Sequence, residues 1–358
     1  MVTFAEFLPP YPNRMWALCT QMAVTHAVTG LPFGSGGPQH WTPERIAEMK
    51  IGDRPWDFYP MLYMRERFAD AGLTVDVIES SPPMDRIRLG LPGRDAEIEN
   101  FATMLQSMGA VGIPVVCWNW MAQFNWQRTS LTTRGRGGAF VSSFDYALVK
   151  DAPLTPAGNV SEEALWENLH YFLERIVPVA EESKVRLAMH PDDPPLSPIR
   201  GVGRIMRSIE NFDRLLDLVP SPNNGITLCQ GNFALMAPDV PQTIRHFAAR
   251  KAIHFVHFRD VRGTPEKFAE VFHDEGQTDM LEAMRTYLEV GFDGPMRLDH
   301  APTMEGEGND QPGYEILGRL FATGYMTGLR EAAIKDLARG EKLNTSAENA
   351  EDAERAER

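Results

Sequence analysis

Four residues of metal-ligating type, His190, Cys229, His257 and Asp299, each close a short apolar run that reads as a buried strand. The runs are Val185-Arg-Leu-Ala-Met-His190, Ile226-Thr-Leu-Cys229, Ile253-His-Phe-Val-His257 and Met296-Arg-Leu-Asp299. Successive members lie 39, 28 and 42 residues apart, about one strand-plus-helix repeat each time. Side chains alternate between the faces of a strand. Val185, Leu187 and Met189 therefore fall opposite His190, Ile226 and Leu228 opposite Cys229, and Met296 and Leu298 opposite Asp299. In a closed parallel barrel the opposite face packs on helices, and the C-terminal strand ends carry the active site. Donors of N, S, N and O type would then converge at one mouth and suit a divalent cation. Alternation sends His254 away from His257, so His254 reads as structural.

Each of the four has an ordinary explanation when taken singly. A free cysteine is usually an inert core residue, a strand-end histidine usually a hydrogen-bonded one, and an aspartate at a strand end can cap the next segment. Their equivalent positions in consecutive repeats make the joint metal reading the stronger one.

The elements that must position them follow from the rest of the chain. Four further runs read as strands: Val2–Leu8, Met22–Val28, Leu73–Ser80 and Ile113–Trp120. Helical patterns lie at Pro43–Met49, Trp56–Ala71, Asp95–Met108, Ser161–Ser183, Arg204–Leu218, Val240–Arg250 and Asp279–Val290. Ser161 is a helix-start signal and Gly72 a stop. Eight strands alternating with helices point to an α/β fold, a (β/α)8 TIM barrel over residues 1–340, with the metal site at the C-terminal ends of strands five to eight. A segment at about 121–160 is too long for one crossover. Its Gly-, Arg- and Thr-rich part, Phe124–Gly138, reads as a lid in which Arg128, Arg134 or Arg136 could meet a carboxylate. Residues 341–358 read as a polar tail, frayed or disordered.

Composition narrows the partners. A formal charge of −14 argues against nucleic acid and anionic membranes, without excluding an anionic small molecule. Three widely spaced cysteines offer no disulfide framework and fit a reducing compartment. No signal-peptide plan and no bilayer-length apolar run stand out, so a cytoplasmic enzyme is expected. Assembly into a homo-oligomer is left open. No GxGxxG or GxxxxGK[ST] follows a strand, so neither a dinucleotide nor a P-loop site is expected.

Local wording adds a resemblance. Met189-His-Pro-Asp-Asp-Pro-Pro195, Cys229-Gln-Gly231, Phe255-Val-His-Phe-Arg259, Gly276-Gln-Thr-Asp-Met280, Asp299-His300 and Pro312-Gly-Tyr314 occur in this order. Val77-Ile-Glu-Ser80, Ile98-Glu-Asn100, Cys117-Trp-Asn-Trp-Met121 and Trp126-Gln-Arg-Thr129 precede them. Together they resemble the mannonate dehydratase family of xylose-isomerase-like barrels over nearly the whole chain apart from the tail. The resemblance implies a hydro-lyase of glucuronate catabolism that converts D-mannonate to 2-keto-3-deoxy-D-gluconate with Mn²⁺ or Fe²⁺. It implies His190, Cys229, His257 and Asp299 as metal ligands, and catalytic roles for His300 and Tyr314. Around these the chain departs from the family's pattern at Leu298, Ala301-Pro302, Asn232 and Ala122. The exact aldonate therefore stays open.

Dehydrating an aldonate means removing the C2 proton beside a carboxylate and expelling the C3 hydroxyl, which needs a base, an acid and a cation. His300 titrates in the useful range and a phenol is the better donor, so His300 is expected as base and Tyr314 as acid, the order left open. Strict alternation turns His300 away from the face of Asp299. It reaches the substrate only if the strand has ended there, which Ala301-Pro302 favours. Asn119, Arg259, His273 and Arg128 are candidates for holding substrate oxygens, and Trp120 and Trp126 for walling the pocket. The competing readings are a metal-dependent sugar isomerase or epimerase, a dehydratase for another aldonate, and a binding protein that kept the fold. Cys229 disfavours the isomerases, which typically bind their metal with carboxylates.

Overall fold

Eight of the apolar runs become the staves of a closed parallel barrel. They are β1 (Thr3–Phe7), β2 (His26–Thr29), β3 (Thr74–Ile78), β4 (Val115–Asn119), β7 (Arg186–His190), β8 (Asn224–Cys229), β9 (Ile253–His257) and β12 (Pro295–Arg297), in that order around the barrel. The computed structural model describes residues 2–32 and 48–356, with side chains to residue 339. β12 pairs back onto β1 through Thr3 and Pro295, which closes the sheet and leaves it no edge.

Alternation sorts the staves' side chains into two layers. Ala5, Val28, Val77, Val115, Cys117, Ala188 and Phe255 form a small cluster inside the barrel. Phe4, Val116, Leu187, Met189, Ile226, Leu228, Val256 and Met296 belong to the larger core shared with the helices. The parity of Ala188 carries to His190 and that of Phe255 to His257, so both histidines project from the inner face at the strand ends. His254 has the opposite parity. It is buried with Nδ1 2.8 Å from the Leu187 carbonyl oxygen, and a Cβ on Gly225 would lie 2.4 Å from its ring.

The helices wrap this barrel: α1 (Arg14–Gln21), α2 (Phe58–Asp70), α3 (Asp85–Leu89), α4 (Arg94–Val111), α5 (Glu162–Ser183), α6 (Ile209–Leu218), α7 (Gln230–Met236), α8 (Val240–Ala249), α9 (Met280–Glu289) and α10 (Ile316–Ala356). Ser161 caps α5 by accepting from the Ala164 amide at 3.1 Å, as its position suggested.

Several boundaries differ from the sequence expectation for local reasons. Met22 closes α1, a helix the apolar pattern did not reveal, so β2 begins at His26 rather than at Met22. The helix expected from Arg204 begins at Ile209, because Ser208 caps it. The helix expected at Pro43–Met49 falls largely on residues 43–47, outside those described, and 48–49 lie in a turn. The last stave ends at Arg297, two residues before Asp299.

The long segment after β4 is built rather than bare loop. It forms the hairpin β5 (Ser130–Arg134) and β6 (Phe140–Asp145), joined antiparallel to a second hairpin, β10 (Val261–Thr264) and β11 (Lys267–Glu270), that follows β9. Two βα loops thus share one four-stranded sheet. The tail backbone continues α10 to Ala356, where a frayed or disordered end was expected.

Candidate metal centre

His190, Cys229 and His257 close three adjacent staves, and Cys229 pairs directly with His257 in register. One donor atom from each lies within 4.8 Å of the other two. The Asp299 carboxylate joins them, with Oδ2 3.5 Å from His257 Nδ1 and 3.9 Å from Cys229 Sγ. Asp299 gets there by leaving the strand: its φ is +64°, a left-handed conformation that few non-glycine residues adopt. That turn also resolves the alternation problem. Since the ladder ends at Arg297, His300 need not point away from Asp299, and its Nε2 lies 3.8 Å from Asp299 Oδ1.

The side chains fit a divalent cation on three observations. His257 Nδ1 is buried without a hydrogen-bond partner, while Nε2 lies 3.4 Å from Glu79 Oε1. His190 Nδ1 lies 2.7 Å from the Pro191 carbonyl oxygen, which assigns the ring proton to Nδ1 and leaves Nε2 free. Metal-bound histidines are held as His190 is, by an acceptor on the far nitrogen, whereas His257 Nε2 accepts from Arg297 at 3.2 Å. The thiol is the third. Burial pushes Cys229 up, but the Arg259 guanidinium, with His190 and His257 beside the sulfur, outweighs it and brings the group down to about 6. A thiolate with one carboxylate neutralises a doubly charged ion.

A second cluster, Glu79, Cys117 and His257, is equally tight but already holds its cation. The Arg297 guanidinium lies 2.6 Å from Glu79 Oε1, 2.8 Å from Asp299 Oδ1 and 3.2 Å from His257 Nε2. Burial raises the Cys117 thiol, which accepts a hydrogen bond from Thr227 at 3.2 Å.

A cavity of about 630 Å³ opens over the centre, a volume suited to a small molecule. Asn119, His190, His257, Asp299, His300 and Tyr314 line it. Tyr314 is delivered by Pro312-Gly-Tyr314: Gly313 sits at φ +86°, and a Cβ there would lie 3.2 Å from the His300 ring. The Tyr314 hydroxyl donates to Asp299 Oδ1 at 3.3 Å. Burial holds the phenol well above its usual range. His300 is raised too: burial lowers it, but Asp299 and Glu270 outweigh that.

Of the other sequence candidates, Asn119 and Trp126 line the cavity and the rest lie outside its lining. Asn119 Oδ1 accepts from Arg88 at 3.1 Å and from the Met121 amide at 3.1 Å. Arg259, Arg128 and His273 are buried and do not line the cavity. Arg259 spans Asp299 (2.5 Å), Asn232 (2.7 Å), Asp193 (3.0 Å) and Glu270 (3.4 Å). Arg128 bridges Asp193 and Glu270 at 2.5 Å each. His273 Nε2 faces the Leu298 carbonyl oxygen at 2.9 Å and braces the turn before Asp299. On the surface Arg136 pairs with Asp274, while Arg134 lies over the Phe140 ring. Trp126 walls the cavity 5.7 Å from the His300 ring, whereas Trp120 is core, its indole N–H bonded to the Leu165 carbonyl. Sequence reasoning missed Glu79, Arg297 and Glu270. Arg297 had left a signal, as a charged residue of the same parity as Asp299 in an otherwise apolar run.

Similarity to known proteins agrees with this geometry. A family model described as D-mannonate dehydratase (UxuA) matches residues 46–157 and 153–340. The chain belongs to the D-mannonate dehydratase family. It is 37% identical over 327 residues to a mannonate dehydratase of Thermotoga neapolitana, covering 81% of this chain and 89% of that one. The solved mannonate dehydratase of Streptococcus suis serotype 2 superposes with a TM-score of 0.81 at 32% identity, over 94% of this chain and 95% of that one. An L-ribulose 3-epimerase structure, at 14% identity and a TM-score of 0.58 over 94% and 97%, shares the fold alone. The family is one of metal-dependent hydro-lyases acting on sugar acids, and this chain is a dehydratase. No helix among the described residues is long and apolar enough to cross a membrane.

Proposed function

We propose that the chain dehydrates D-mannonate to 2-keto-3-deoxy-D-gluconate, with Mn²⁺ or Fe²⁺ held by His190, Cys229, His257 and Asp299. The observation that carries the reading is the buried, unpartnered His257 Nδ1 within the His-Cys-His cluster, at the floor of a cavity that His300 and Tyr314 also line. When bound, the cation supplies Lewis-acid stabilisation to the negative charge that builds beside the substrate carboxylate.

The remaining work falls to side chains. His300 takes the C2 proton through Nε2. Tyr314 gives its phenolic proton to the C3 hydroxyl, which departs as water, and Arg297 at 3.5 Å steadies the phenolate. The resulting enol takes a proton at C3, gives up the proton of its C2 hydroxyl and becomes the 2-keto-3-deoxy acid. Arg259 and Arg128 act from behind the cavity wall, holding Asp299 and Asp193 in place. Three free cysteines, all buried, fit a cytoplasmic setting. The test is a panel of aldonates and uronates offered to Mn²⁺-loaded protein, with 2-keto-3-deoxy acids as the readout. D-Mannonate should turn over fastest, and conversion of no aldonate would overturn the reading.

A further inference from the structure

The hairpin β10–β11 sets a carboxylate behind His300. Glu270, the last residue of β11, is buried. Its Oε1 lies 3.0 Å from His300 Nδ1 and accepts from Arg128 at 2.5 Å, while Oε2 accepts from Arg259 at 3.4 Å. Burial pushes this carboxyl up, but Arg259, His300 and Arg128 outweigh it and hold it ionised.

An ionised carboxylate can only accept, so the proton between the two groups belongs to His300 Nδ1. In the neutral ring the lone pair then sits on Nε2, at the cavity wall and 3.8 Å from Asp299 Oδ1. We infer that Glu270 is a positioning residue, which fixes the tautomer and orientation of His300 so that Nε2 is the atom that takes the substrate proton. The logic is that of a carboxylate behind a catalytic imidazole, where the wrong tautomer costs turnover even when the fold is intact. The carboxylate comes from the sheet shared by two loops, so assembly of that sheet completes the base. The inference rests on the proposed role of His300.

The test begins with Glu270→Gln, which keeps size but can turn an N–H toward Nδ1 and permit the other tautomer. In the Mn²⁺-loaded enzyme kcat on D-mannonate should fall by about 10²–10⁴, with metal content unchanged and KM nearly so. In a His300→Asn background the same change should cost no more than about twofold, because its effect passes through His300. Losses that multiply instead would make Glu270 a structural ion-pair partner and overturn the inference, as would an unchanged kcat in Glu270→Gln beside a crippled His300→Asn. Turnover surviving in His300→Asn would sink the role of His300 itself, a separate failure. If Glu270→Gln does not fold, histidine-selective ¹⁵N spectra of the wild-type protein decide the matter. At a pH high enough for the ring to be neutral, the His300 signals, identified by their loss in His300→Asn, should show Nδ1 protonated and Nε2 bare. The reverse tautomer would contradict the inference.

Discussion

Tyr314 donates its phenolic hydrogen to Asp299 Oδ1 across 3.3 Å, while its ring meets the His300 ring edge-on with centroids 5.3 Å apart. The residue proposed to complete the metal cluster thus also anchors the proposed acid, and its chain neighbour is the proposed base. Removing the phenol or the imidazole should spare the ion. Tyr314→Phe and His300→Asn should each retain metal and lose about 10²–10⁴ in kcat. Exchange of the C2 proton with solvent separates the roles: Tyr314→Phe should still exchange it, and His300→Asn should not. Near-native turnover in both would refute the assignment.

Cys229 tests the ion directly. Cys229→Ser replaces a soft anionic donor with a neutral hydroxyl, so bound metal and activity should vanish together. Elemental analysis of the purified variant checks this. Full occupancy would mean that the thiolate is not a ligand.

The buried charges between the two-loop sheet and the barrel should matter to stability. The Arg128 side chain is 1% exposed and pairs with Asp193 and Glu270. Arg128→Met leaves two buried carboxylates short of a partner and should cost about 3–5 kcal/mol in denaturant unfolding. Arg136, 42% exposed beside Asp274, should cost less than about 1 kcal/mol when changed to Ala. Equal losses would mean that the buried cluster is not coupled to the fold.

The barrel was legible because the staves are short, apolar and regularly spaced, and inner and outer parity can be read two residues at a time. His190, Cys229 and His257 followed from that parity, and the structure brings their donors together. Asp299 did not follow for the reason supposed. It lies beyond β12 and reaches the cluster through a left-handed turn, which no alternation rule contains. Glu270 was hidden for another reason: β11 is a four-residue strand without an apolar period, and its partner strand β6 lies more than a hundred residues upstream. Arg259 and Arg128 were read as groups for substrate oxygens. Sequence could not reveal that Asp193 and Glu270 already claim both guanidiniums.

The polar C-terminal stretch offers a simpler test. Residues 341–358 hold Leu343 as their only large apolar side chain and lie beyond every proposed ligand. Deleting them should leave metal content, kcat and melting temperature nearly unchanged. Dissociation of an oligomer or loss of activity in the truncated protein would make this end an interface.

The central claim is elimination of water across C2 and C3 of a sugar acid, and it is tested most directly by proton NMR of D-mannonate with the Mn²⁺-loaded enzyme in D₂O. The account predicts 2-keto-3-deoxy-D-gluconate carrying deuterium at C3, since the enol takes its last proton from solvent. Recovery of C2-deuterated aldonates of inverted configuration, without loss of water, would contradict it and mark an epimerase.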